Sequence, residues 1–454
     1  MEFQNKKITV AGAGISGIAA AKLLEEAGAV VTLYDANNTL SEAEVREKIS
    51  ADFKGAFCFG EFTEELLCST EVLVMSPGVP CDLPFVLELK KKNIPVIGEI
   101  ELAYLFSKGK IVAITGTNGK TTTTALTGEI MKTYYENVLV VGNIGIPYTS
   151  LVTTTKENSV TVAEISSFQL ETVDTFRPDV SMILNITPDH LNRHHSMENY
   201  IAAKEAIASN QTKEDVCVLN YEDEVLRAFG ERTKAKVIFF SSGRVLSEGL
   251  YTEDGVIFYA HEGISEMICK VDELNIVGRH NHENAMAAIA AGIVLGVPME
   301  LIRKALREFK AVEHRVEYVA TKRGVKYYND SKGTNPDAAI QGIRAMAGNT
   351  LLIAGGYDKG SEYDEWIDAF DGKVKYLVLL GQTKEKIADT ARKHGIENIV
   401  MCETFLEAMQ FCTENAEPGE NVLLSPACAS WGMFKNYEER GHIFKDYVNG
   451  LNEE

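Results

Sequence analysis

The stretch Ile111-Val112-Ala113-Ile114-Thr115-Gly116-Thr117-Asn118-Gly119-Lys120-Thr121-Thr122 decides how this sequence is interpreted. It places a short apolar run directly before a glycine-containing loop and a Lys-Thr pair. A buried β-strand that runs through such a loop into a helix directs backbone N–H groups and the positive helix end at one point. That point suits the phosphates of a nucleotide, so the stretch predicts a phosphate-binding loop.

The spacing of this loop differs from the common Walker pattern. That pattern has four residues between its glycines, whereas only two separate Gly116 from Gly119. Lys120 is placed to reach the outer phosphates, and the Thr121 hydroxyl is placed to ligate the Mg²⁺ that accompanies a nucleotide. The alternative interpretation is an ordinary glycine-containing turn at a helix start.

Length and composition exclude several classes of protein. With 454 residues, 45% of them hydrophobic, the chain is too long for one core, and we expect three domains. Its 45 Lys and Arg against 65 Asp and Glu give a net charge of -20, which argues against nucleic acid or an anionic membrane as a partner. The eight cysteines show no C-x-x-C spacing, and neither a signal peptide nor a membrane-spanning apolar stretch is present. We therefore expect a cytoplasmic protein with reduced thiols.

Short Val/Ile/Leu-rich runs alternate with longer amphipathic stretches, a pattern that predicts parallel sheets covered by helices. Strands are predicted near residues 8–11, 30–34, 72–75, 111–114, 160–165, 182–185, 216–220, 351–354, 376–380 and 421–424. Domain boundaries are predicted near residues 98 and 311, which gives the domains 1–98, 99–311 and 312–454.

The first block opens with a second glycine-rich motif, Gly12-Ala13-Gly14-Ile15-Ser16-Gly17, followed by a helical stretch, a strand and Asp35 at that strand's end. Taken alone, this is a dinucleotide fingerprint, and it makes an NAD-dependent oxidoreductase a serious hypothesis. Such a turn can equally bind the diphosphate of a UDP-sugar, and a second phosphate loop is unexplained in a simple dehydrogenase. Residues 76–78, Ser-Pro-Gly, either add donors to that site or form an ordinary turn.

Two side chains of the second block are candidates for a metal site beside the phosphate loop. Glu164 ends a predicted strand, and His190 follows another, so both are expected at the carboxyl edge of the sheet. Either residue alone is better explained by a local turn or cap. Together with Lys120 and Thr121 they predict a metal–nucleotide site.

These motifs resemble those of the Mur ligases, the ATP-dependent amino-acid ligases of peptidoglycan synthesis, over nearly the whole chain. The stretches at 164–171, Glu-Ile-Ser-Ser-Phe-Gln-Leu-Glu, and 425–430, Ser-Pro-Ala-Cys-Ala-Ser, resemble the members that add D-glutamate to UDP-N-acetylmuramoyl-L-alanine. The resemblance implies an α/β fold of three domains: a Rossmann-like N-terminal domain, a central P-loop ATPase-type domain and a C-terminal Rossmann-like domain. It also implies an ATP-dependent ligase that forms an acyl phosphate.

The resemblance further implies where each ligand binds. The UDP-substrate is expected at Gly14, Ile15, Ser16, Asp35, Ser76 and Asn143. ATP is expected at Gly116, Thr117, Asn118, Gly119, Lys120, Thr121, Thr122, Asn281, Asn284, Arg315, Asp330 and Lys332. D-Glutamate is expected at Lys332, Thr334, Lys359, Ser430 and Tyr437.

By the same resemblance, Lys120, Glu164, His190 and Lys204 are the expected catalytic residues. Two Mg²⁺ ions are expected on Thr121, Glu164, His190 and a carbamylated Lys204; without the resemblance, Lys204 is an ordinary helix lysine. We expect a monomer. The chain departs from the family where Tyr437 replaces a more usual Phe, where Gly432 replaces a frequent Asp, and in the position of Asp358.

Overall fold

The computed structural model describes residues 2–50, 52–310 and 312–452, and within them the chain forms twenty β-strands and eighteen α-helices. The strands are β1 Lys7–Ala11, β2 Val30–Asp35, β3 Ala56–Phe59, β4 Val72–Met75, β5 Val96–Gly98, β6 Lys110–Thr115, β7 Val138–Gly142, β8 Val160–Glu164, β9 Val180–Ile183, β10 Val216–Asn220, β11 Lys236–Ser241, β12 Gly249–Glu253, β13 Val256–His261, β14 Ile264–Lys270, β15 Glu317–Lys322, β16 Val325–Asn329, β17 Thr350–Ala354, β18 Val374–Leu379, β19 Ile399–Met401 and β20 Asn421–Leu424. The helices are α1 Ile15–Glu26, α2 Glu42–Ile49, α3 Glu64–Ser69, α4 Pro84–Lys91, α5 Glu99–Phe106, α6 Lys120–Lys132, α7 Tyr148–Leu151, α8 Ser167–Leu170, α9 Leu191–His194, α10 Met197–Glu205, α11 Glu224–Gly230, α12 Arg279–Val294, α13 Met299–Glu308, α14 Pro336–Arg344, α15 Asp364–Asp368, α16 Lys384–Lys393, α17 Phe405–Asn415 and α18 Tyr437–Asn449.

The first sheet is parallel and has the strand order β3-β2-β1-β4-β5. Its strands are short Val- and Leu-rich runs because both faces are covered, and residues such as Val10, Leu33 and Val74 are fully buried. The chain leaves β1 to one side for β2 and to the other for β4. The loop after β1 therefore lies at a topological switch point, where open α/β sheets bind ligands.

The second sheet has the order β14-β13-β12-β11-β10-β9-β6-β8-β7. From β7 to β12 neighbouring strands are parallel, whereas β12, β13 and β14 form an antiparallel meander. Strand β6 lies between β8 and β9, so the loop that follows it is again at a switch point, flanked by the carboxyl ends of both neighbours.

The third sheet has the order β15-β16-β20-β17-β18-β19, with β15 antiparallel to β16 and the other neighbours parallel. Helices α14, α15 and α16 cover one face through a core that includes Trp366 and Ile387. Helices α17 and α18 cover the other face through Phe405, Met409 and Phe444.

The described residues group into two compact units. The first comprises Met1–Val271 with Glu283–Leu306 and contains the first two sheets, and the second comprises Asp272–His282 with Arg307–Glu454 and contains the third. The predicted α/β class is confirmed, and each of the ten predicted strands overlaps an observed one. The domain boundaries stay a prediction, and the predicted limits at residues 1, 311 and 454 lie outside the described residues. Among the helices of the described part, none combines the length and apolar character needed to cross a bilayer.

Candidate active site

The predicted phosphate loop lies in the first unit, between the end of β6 and the start of α6. Gly119 precedes α6 with a φ of 87°, and a Cβ atom there would lie 2.3 Å from Oδ1 of Asn284. Both the backbone conformation and the close approach therefore require glycine at this position. Thr121 and Thr122 follow in the first turn and are buried, so the positive end of α6 faces the loop.

Two lysines meet at this loop. Nζ of Lys120 donates to the carbonyl oxygens of Gly116 at 2.8 Å and Thr117 at 2.9 Å, and Nζ of Lys204 donates to the same Gly116 oxygen at 2.8 Å. Lys204 of α10 and Lys120, the first residue of α6, therefore contact the same phosphate loop.

Lys204 is one of the most buried charged side chains of the first unit, with 1% of its surface exposed. Its Nζ lies 4.7 Å from the centre of the Tyr200 ring, one helical turn earlier in α10. Burial, together with the positive charge of Lys120, lowers the pKa of Lys204 well below its ordinary value. The side chain is therefore biased toward the neutral amine.

The loop is fixed to the segment after β9 by side-chain hydrogen bonds. Oγ1 of Thr117 donates to the Thr187 carbonyl oxygen at 3.1 Å and lies 3.0 Å from the Tyr200 hydroxyl. The Asn118 N–H donates to Oδ1 of Asn185 at 2.8 Å, and Nδ2 of Asn185 donates back to the Asn118 carbonyl at 3.1 Å. Thr117 and Asn118 are thus held in place before a nucleotide binds.

Glu164 ends β8, next to β6, as the sequence predicts. Nδ2 of Asn143 donates to Oε1 of Glu164 at 2.8 Å, and the Asn143 N–H donates to the Glu164 carbonyl at 2.8 Å. Oε2 of Glu164 is buried and has no hydrogen-bond partner among the described residues. A buried carboxylate oxygen without a partner is costly unless a further ligand binds it.

This arrangement fits a divalent cation. A carboxylate and a hydroxyl beside a phosphate loop are the oxygen ligands that Mg²⁺ prefers, and Glu164 and Thr121 supply one of each. Oε2 of Glu164, which is buried and has no hydrogen-bond partner among the described residues, is an oxygen that such a cation could bind.

His190 follows β9 in a left-handed conformation, with a φ of 54°, directly before α9. Its side chain is half exposed, and its ring centre lies 4.9 Å from that of Phe168. His194, which the sequence analysis missed, is buried on α9: Nε2 lies 3.0 Å from Oγ of Ser167 and Nδ1 lies 3.4 Å from Glu171. Burial lowers the pKa of His194.

The glycine-rich turn after β1 is closely packed. Gly12 has a φ of 99°, and a Cβ on Gly17 would lie 1.7 Å from the Gly12 carbonyl oxygen. Oγ of Ser76 donates to that same oxygen at 3.1 Å. Oδ2 of Asp35 accepts the Ala13 N–H at 2.7 Å, so Asp35 braces this turn.

The start of α1 beside this turn is open. A Cβ on Gly14 would meet nothing within 4 Å, and 71% of the surface of Ile15 is exposed. An apolar side chain exposed at a helix N-terminus offers a surface on which a ring of a ligand can pack. The N–H groups beside it suit a diphosphate. Ser16 occupies the first turn of the same helix.

In the second unit, Asp330 follows β16 and is buried. Its Oδ2 accepts the Ser425 hydroxyl at 2.7 Å, and its Oδ1 accepts the Val316 N–H at 3.2 Å. Burial raises the pKa of Asp330 to about 7, although both hydrogen bonds and the nearby Arg315 oppose the rise.

Two of the predicted D-glutamate residues are lysines that lie over aromatic rings. Nζ of Lys332 is 5.2 Å from the centre of the Tyr437 ring, and Nζ of Lys359 is 5.2 Å from the centre of the Trp431 ring. Trp431 is 55% exposed and was missed by the sequence analysis, although it directly follows the predicted Ser430. A tryptophan directly after a predicted binding residue is the sequence signal that could have found it.

The remaining predicted residues divide between the units. Asn284 approaches Gly119 in the first unit, whereas Asn281, Arg315 and Thr334 belong to the second. Nδ2 of Asn281 donates to the Val277 carbonyl at 2.8 Å, one turn earlier in the chain.

Buried Arg440 ties the segment 330–334 to α18. Its Nε and Nη2 donate to the hydroxyl and the carbonyl of Ser331 at 2.9 and 2.7 Å. Burial lowers the pKa of Arg440 to about 10. Arg440 therefore fixes the backbone beside Lys332.

A histidine–acid cluster lies nearby in the second unit. Glu313, His314 and His442 are, in the described part of the chain, the one such group with metal-ligand spacing. Nζ of Lys445 already lies 2.7 Å from Glu313 and 2.6 Å from Glu317. Because this ammonium supplies the positive charge, the cluster is better explained as an ion-pair network.

Comparisons with known proteins match nearly the whole chain. The model described as the Mur ligase MurD-like N-terminal domain matches residues 6–98, the Mur ligase middle domain matches 114–292, and the Mur ligase glutamate ligase domain matches 314–428. None of the three descriptions is that of a dehydrogenase, the alternative that the first glycine-rich motif raised.

Relatives of the same length carry a ligase name. The UDP-N-acetylmuramoylalanine--D-glutamate ligase of Lachnoclostridium phytofermentans is 60% identical over 454 residues, covering 100% of both chains. The protein of that name from Lachnospira eligens is 56% identical and covers 99% of this chain and 100% of its own. Among solved structures, MurF ligase from Thermotoga maritima in complex with ADP has a TM-score of 0.60 at 16% identity, covers 99% of this chain and 96% of that chain, and shares the fold.

Proposed function

This chain belongs to the Mur ligase family, and we propose that it joins D-glutamate to UDP-N-acetylmuramoyl-L-alanine with conversion of ATP to ADP and phosphate. The observation that carries the ligase chemistry is the buried Oε2 of Glu164, without a partner in the described residues, at the sheet edge that carries a phosphate loop. The choice of D-glutamate is supported by the full-length relatives of that name. The reaction belongs to peptidoglycan synthesis, and we place it in the cytoplasm.

The reaction proceeds in two steps that conserve every atom. An oxygen of the alanyl carboxylate attacks the γ-phosphorus of ATP, the bond to the bridging oxygen breaks, and ADP leaves. The amine of D-glutamate then attacks the acyl carbon, and the tetrahedral intermediate expels phosphate as the amine loses its proton to solvent. Neither step requires a covalent nucleophile of the protein.

The phosphate loop positions and neutralises the triphosphate. In our proposal, residues 116–122 surround the phosphates, and Lys120 leaves the Gly116 carbonyl to contact the transferred phosphoryl group. Phosphoryl transfer depends on fixed positive charge more than on covalent chemistry, so the ammonium of Lys120 supplies much of the stabilisation. Asn281, Asn284, Arg315, Asp330 and Lys332 complete the proposed ATP contacts.

We assign two Mg²⁺ sites to the first unit. Thr121 and Glu164 would hold one ion, and His190 with a carbamylated Lys204 would hold the second. When bound, such ions neutralise charge on the phosphoryl and carboxylate oxygens.

Carbamylation of Lys204 fits its environment. The neutral amine attacks the carbon of CO₂, an N–C bond forms, and one proton is released. The burial of Lys204 and its neighbour Lys120 both favour the neutral form that this reaction needs. The product carries a negative charge, which would attract the ammonium of Lys120 instead of repelling it.

The two remaining substrates are each assigned their own set of residues. The UDP-substrate is assigned to Gly14, Ile15, Ser16, Asp35, Ser76 and Asn143. D-Glutamate is assigned to Lys332, Thr334, Lys359, Ser430 and Tyr437, because two carboxylates need cations and hydroxyl or N–H donors. We propose domains of residues 1–98, 99–311 and 312–454, and a monomer that acts on these small molecules without nucleic acid or membrane.

Product analysis tests this function. The protein is incubated with ATP, Mg²⁺, UDP-N-acetylmuramoyl-L-alanine and either D- or L-glutamate, and the nucleotide-sugar products are separated and weighed by mass spectrometry. We expect one added glutamyl residue per ADP formed, with D-glutamate only. Formation of the adduct with L-glutamate at an equal rate would contradict the assignment.

A further inference from the structure

Arg193 on α9 joins two parts of the first unit. Its Nη2 donates to the carbonyl oxygen of Val79 at 3.0 Å and to Oε2 of Glu171 at 2.7 Å, and its Nε donates to the same Glu171 oxygen at 3.2 Å. Only 13% of the side chain is exposed. A partly buried guanidinium with a carboxylate on one side and a backbone carbonyl on the other is held in one geometry.

On one side, Arg193 contacts the segment that covers the glycine-rich turn. The Val79 N–H donates to the Ser76 carbonyl at 3.0 Å, and Oγ of Ser76 donates to the Gly12 carbonyl. A side chain on Gly12 would lie 3.1 Å from a methyl group of Val79. The carbonyl that accepts from Arg193 therefore belongs to the segment packed on the first glycine-rich motif.

On the other side, Arg193 and His190 both contact the ring of Phe168. The guanidinium carbon of Arg193 and the ring centre of His190 each lie 4.9 Å from the centre of Phe168. The Arg193 N–H also donates to the His190 carbonyl at 2.9 Å. A displacement of Arg193 would therefore reach His190 through the ring and through the backbone.

Glu171, the carboxylate that pairs with Arg193, also contacts a buried histidine. Oε1 of Glu171 lies 3.4 Å from Nδ1 of buried His194, while its other oxygen accepts from Arg193. A second ion pair between the same two parts, His195 with Asp82 at 3.4 Å, is about two-thirds exposed on both sides and contributes little. The Cys81 thiol also hydrogen-bonds to Glu171, so Arg193 is the principal charged connection, rather than the only polar one, between these segments in the described part of the chain.

We propose that Arg193 is a positioning residue that couples occupancy of the glycine-rich turn to the geometry of the phosphate-loop site. A ligand that fixes the 76–79 segment fixes Arg193, and through Phe168 it fixes His190. The identity of that ligand, the UDP-substrate, rests on the proposed function. Coupling of this kind is reciprocal, so a nucleotide at the phosphate loop must tighten binding of the UDP-substrate by the same factor.

The test measures the dissociation constant of UDP-N-acetylmuramoyl-L-alanine by calorimetry, with and without a saturating non-hydrolysable ATP analogue and Mg²⁺. The wild-type protein should bind the UDP-substrate about fivefold or more tightly when the analogue is present. Arg193→Met should bring this ratio close to one, and Arg193→Lys should give an intermediate ratio because an ammonium lacks the planar fork.

Arg227→Met is the matched control. Arg227 also lies over a ring, 5.3 Å from that of Tyr221, and donates to a backbone carbonyl at 3.0 Å, but it contacts neither segment. It should keep the wild-type ratio. A variant that is merely less stable loses binding capacity without a change in the ratio, so the ratio separates coupling from folding.

Three results would overturn the inference. An unchanged ratio in Arg193→Met, or in Arg193→Lys should the first variant not fold, would show that Arg193 does not couple the sites. A wild-type ratio of one would show that there is no coupling to explain. Failure of the wild-type protein to bind the UDP-substrate would overturn both the proposed function and this inference. The binding measurement contains no amino acid, so it stays valid if D-glutamate proves not to be the amino acid that the enzyme uses.

Discussion

Lys120 and Lys204 donate hydrogen bonds to one acceptor, the carbonyl oxygen of Gly116, at 2.8 Å each. Two ammonium groups on one oxygen repel each other, and burial makes the charge of Lys204 the more costly of the two. In our proposal Lys120 moves to a phosphate, whereas Lys204 stays over the face of the Tyr200 ring. We therefore expect Lys120 to bind the nucleotide and Lys204 to remain in contact with the phosphate loop.

Replacing Lys120 should abolish most of the turnover. Lys120→Ala removes the charge assigned to the transferred phosphoryl group, and we expect kcat to fall by about a hundredfold to a thousandfold. Binding of the UDP-substrate, measured by calorimetry, should change little. The control is Lys132→Ala on the same helix, where the lysine is paired with Glu129 at the surface; near-normal turnover of Lys120→Ala would refute the role.

Lys204 should respond to added carboxylates. Lys204→Ala leaves a gap at the loop and removes the proposed carbamate, so turnover should fall strongly and recover in part when short-chain carboxylates are added. The measurement is the rate of ADP formation as a function of acetate or propionate concentration, with Lys120→Ala as the variant that should not recover. Full activity of Lys204→Ala without any addition would dismiss the carbamate.

Lys359 should matter for D-glutamate alone. Lys359→Met removes a cation assigned to a carboxylate, so the KM for D-glutamate should rise about tenfold or more while the KM for ATP stays within about twofold. Lys386→Met is the matched control, because Lys386 also lies over a ring, 5.7 Å from that of Tyr363, but at no assigned site. Equal effects of the two substitutions would contradict the assignment of Lys359.

Asp330 should make the second unit less stable as the pH rises. Its pKa is about 7 in the folded protein against an ordinary 3.8, so the folded state binds more protons between these values. The contribution of Asp330 to stability is thus highest at low pH, falls as the pH rises through this window, and is constant above about pH 7.

Asp330→Asn removes this titration. The Tm of the variant minus that of the wild-type protein should rise from pH 4 to pH 7 and then level off, measured by differential scanning calorimetry. The surface variant Asp389→Asn, whose side chain is 68% exposed, is the control and should give a nearly flat difference. A flat difference for Asp330→Asn as well would mean that its pKa is not raised.

Ile15 should contribute to binding without contributing to stability. Since it is 71% exposed, Ile15→Ala should leave the Tm unchanged. If the UDP-substrate covers this side chain, its dissociation constant should rise about threefold to tenfold, the loss expected for a few buried methylene groups. Ile264→Ala, 60% exposed on β14, should alter neither quantity, and an unchanged dissociation constant for Ile15→Ala would remove Ile15 from the site.

Apolar patterning predicted the parallel strands well, because a strand that is buried on both faces consists of a continuous apolar run that can be recognised in the local sequence. Apolar runs such as 111–114 and 421–424 form strands that are covered on both faces. The prediction at 182–185 was displaced by two residues from Val180–Ile183. The apolar pattern continues through Leu184, whose N–H still donates to the Thr115 carbonyl of β6. The chain leaves the sheet at Asn185, whose side chain bonds the backbone of Asn118 in the phosphate loop.

The antiparallel hairpins were missed although two-residue turns were present in the sequence. Asp254-Gly255, Glu262-Gly263 and Arg323-Gly324 each have positive φ at both residues and join adjacent strands. Asp-Gly between apolar runs is a strong hairpin signal, whereas Glu-Gly and Arg-Gly are weak, since Glu and Arg seldom adopt positive φ.

The site contacts depend on tertiary structure and could not be read from the sequence. The hydrogen bond from Lys204 to Gly116 joins residues 88 positions apart, and the bond from Arg193 to Val79 spans 114. Motif spacing and strand ends supplied Lys120, Thr121, Glu164 and His190, and family resemblance supplied most of the other site residues. Neither supplied Tyr200, His194, Arg193 or Trp431. These side chains support or flank the assigned residues, and their role follows from packing rather than from a motif.

The most direct test is phosphate release from ATP in the presence of UDP-N-acetylmuramoyl-L-alanine, with D-glutamate, L-glutamate, L-lysine or no amino acid, for the wild-type protein and for Lys120→Ala. We predict release that depends on D-glutamate in the wild-type protein and is nearly lost in Lys120→Ala. Release driven by another amino acid would keep the ligase and change its substrate, whereas no release with any amino acid, or equal release from Lys120→Ala, would contradict the account.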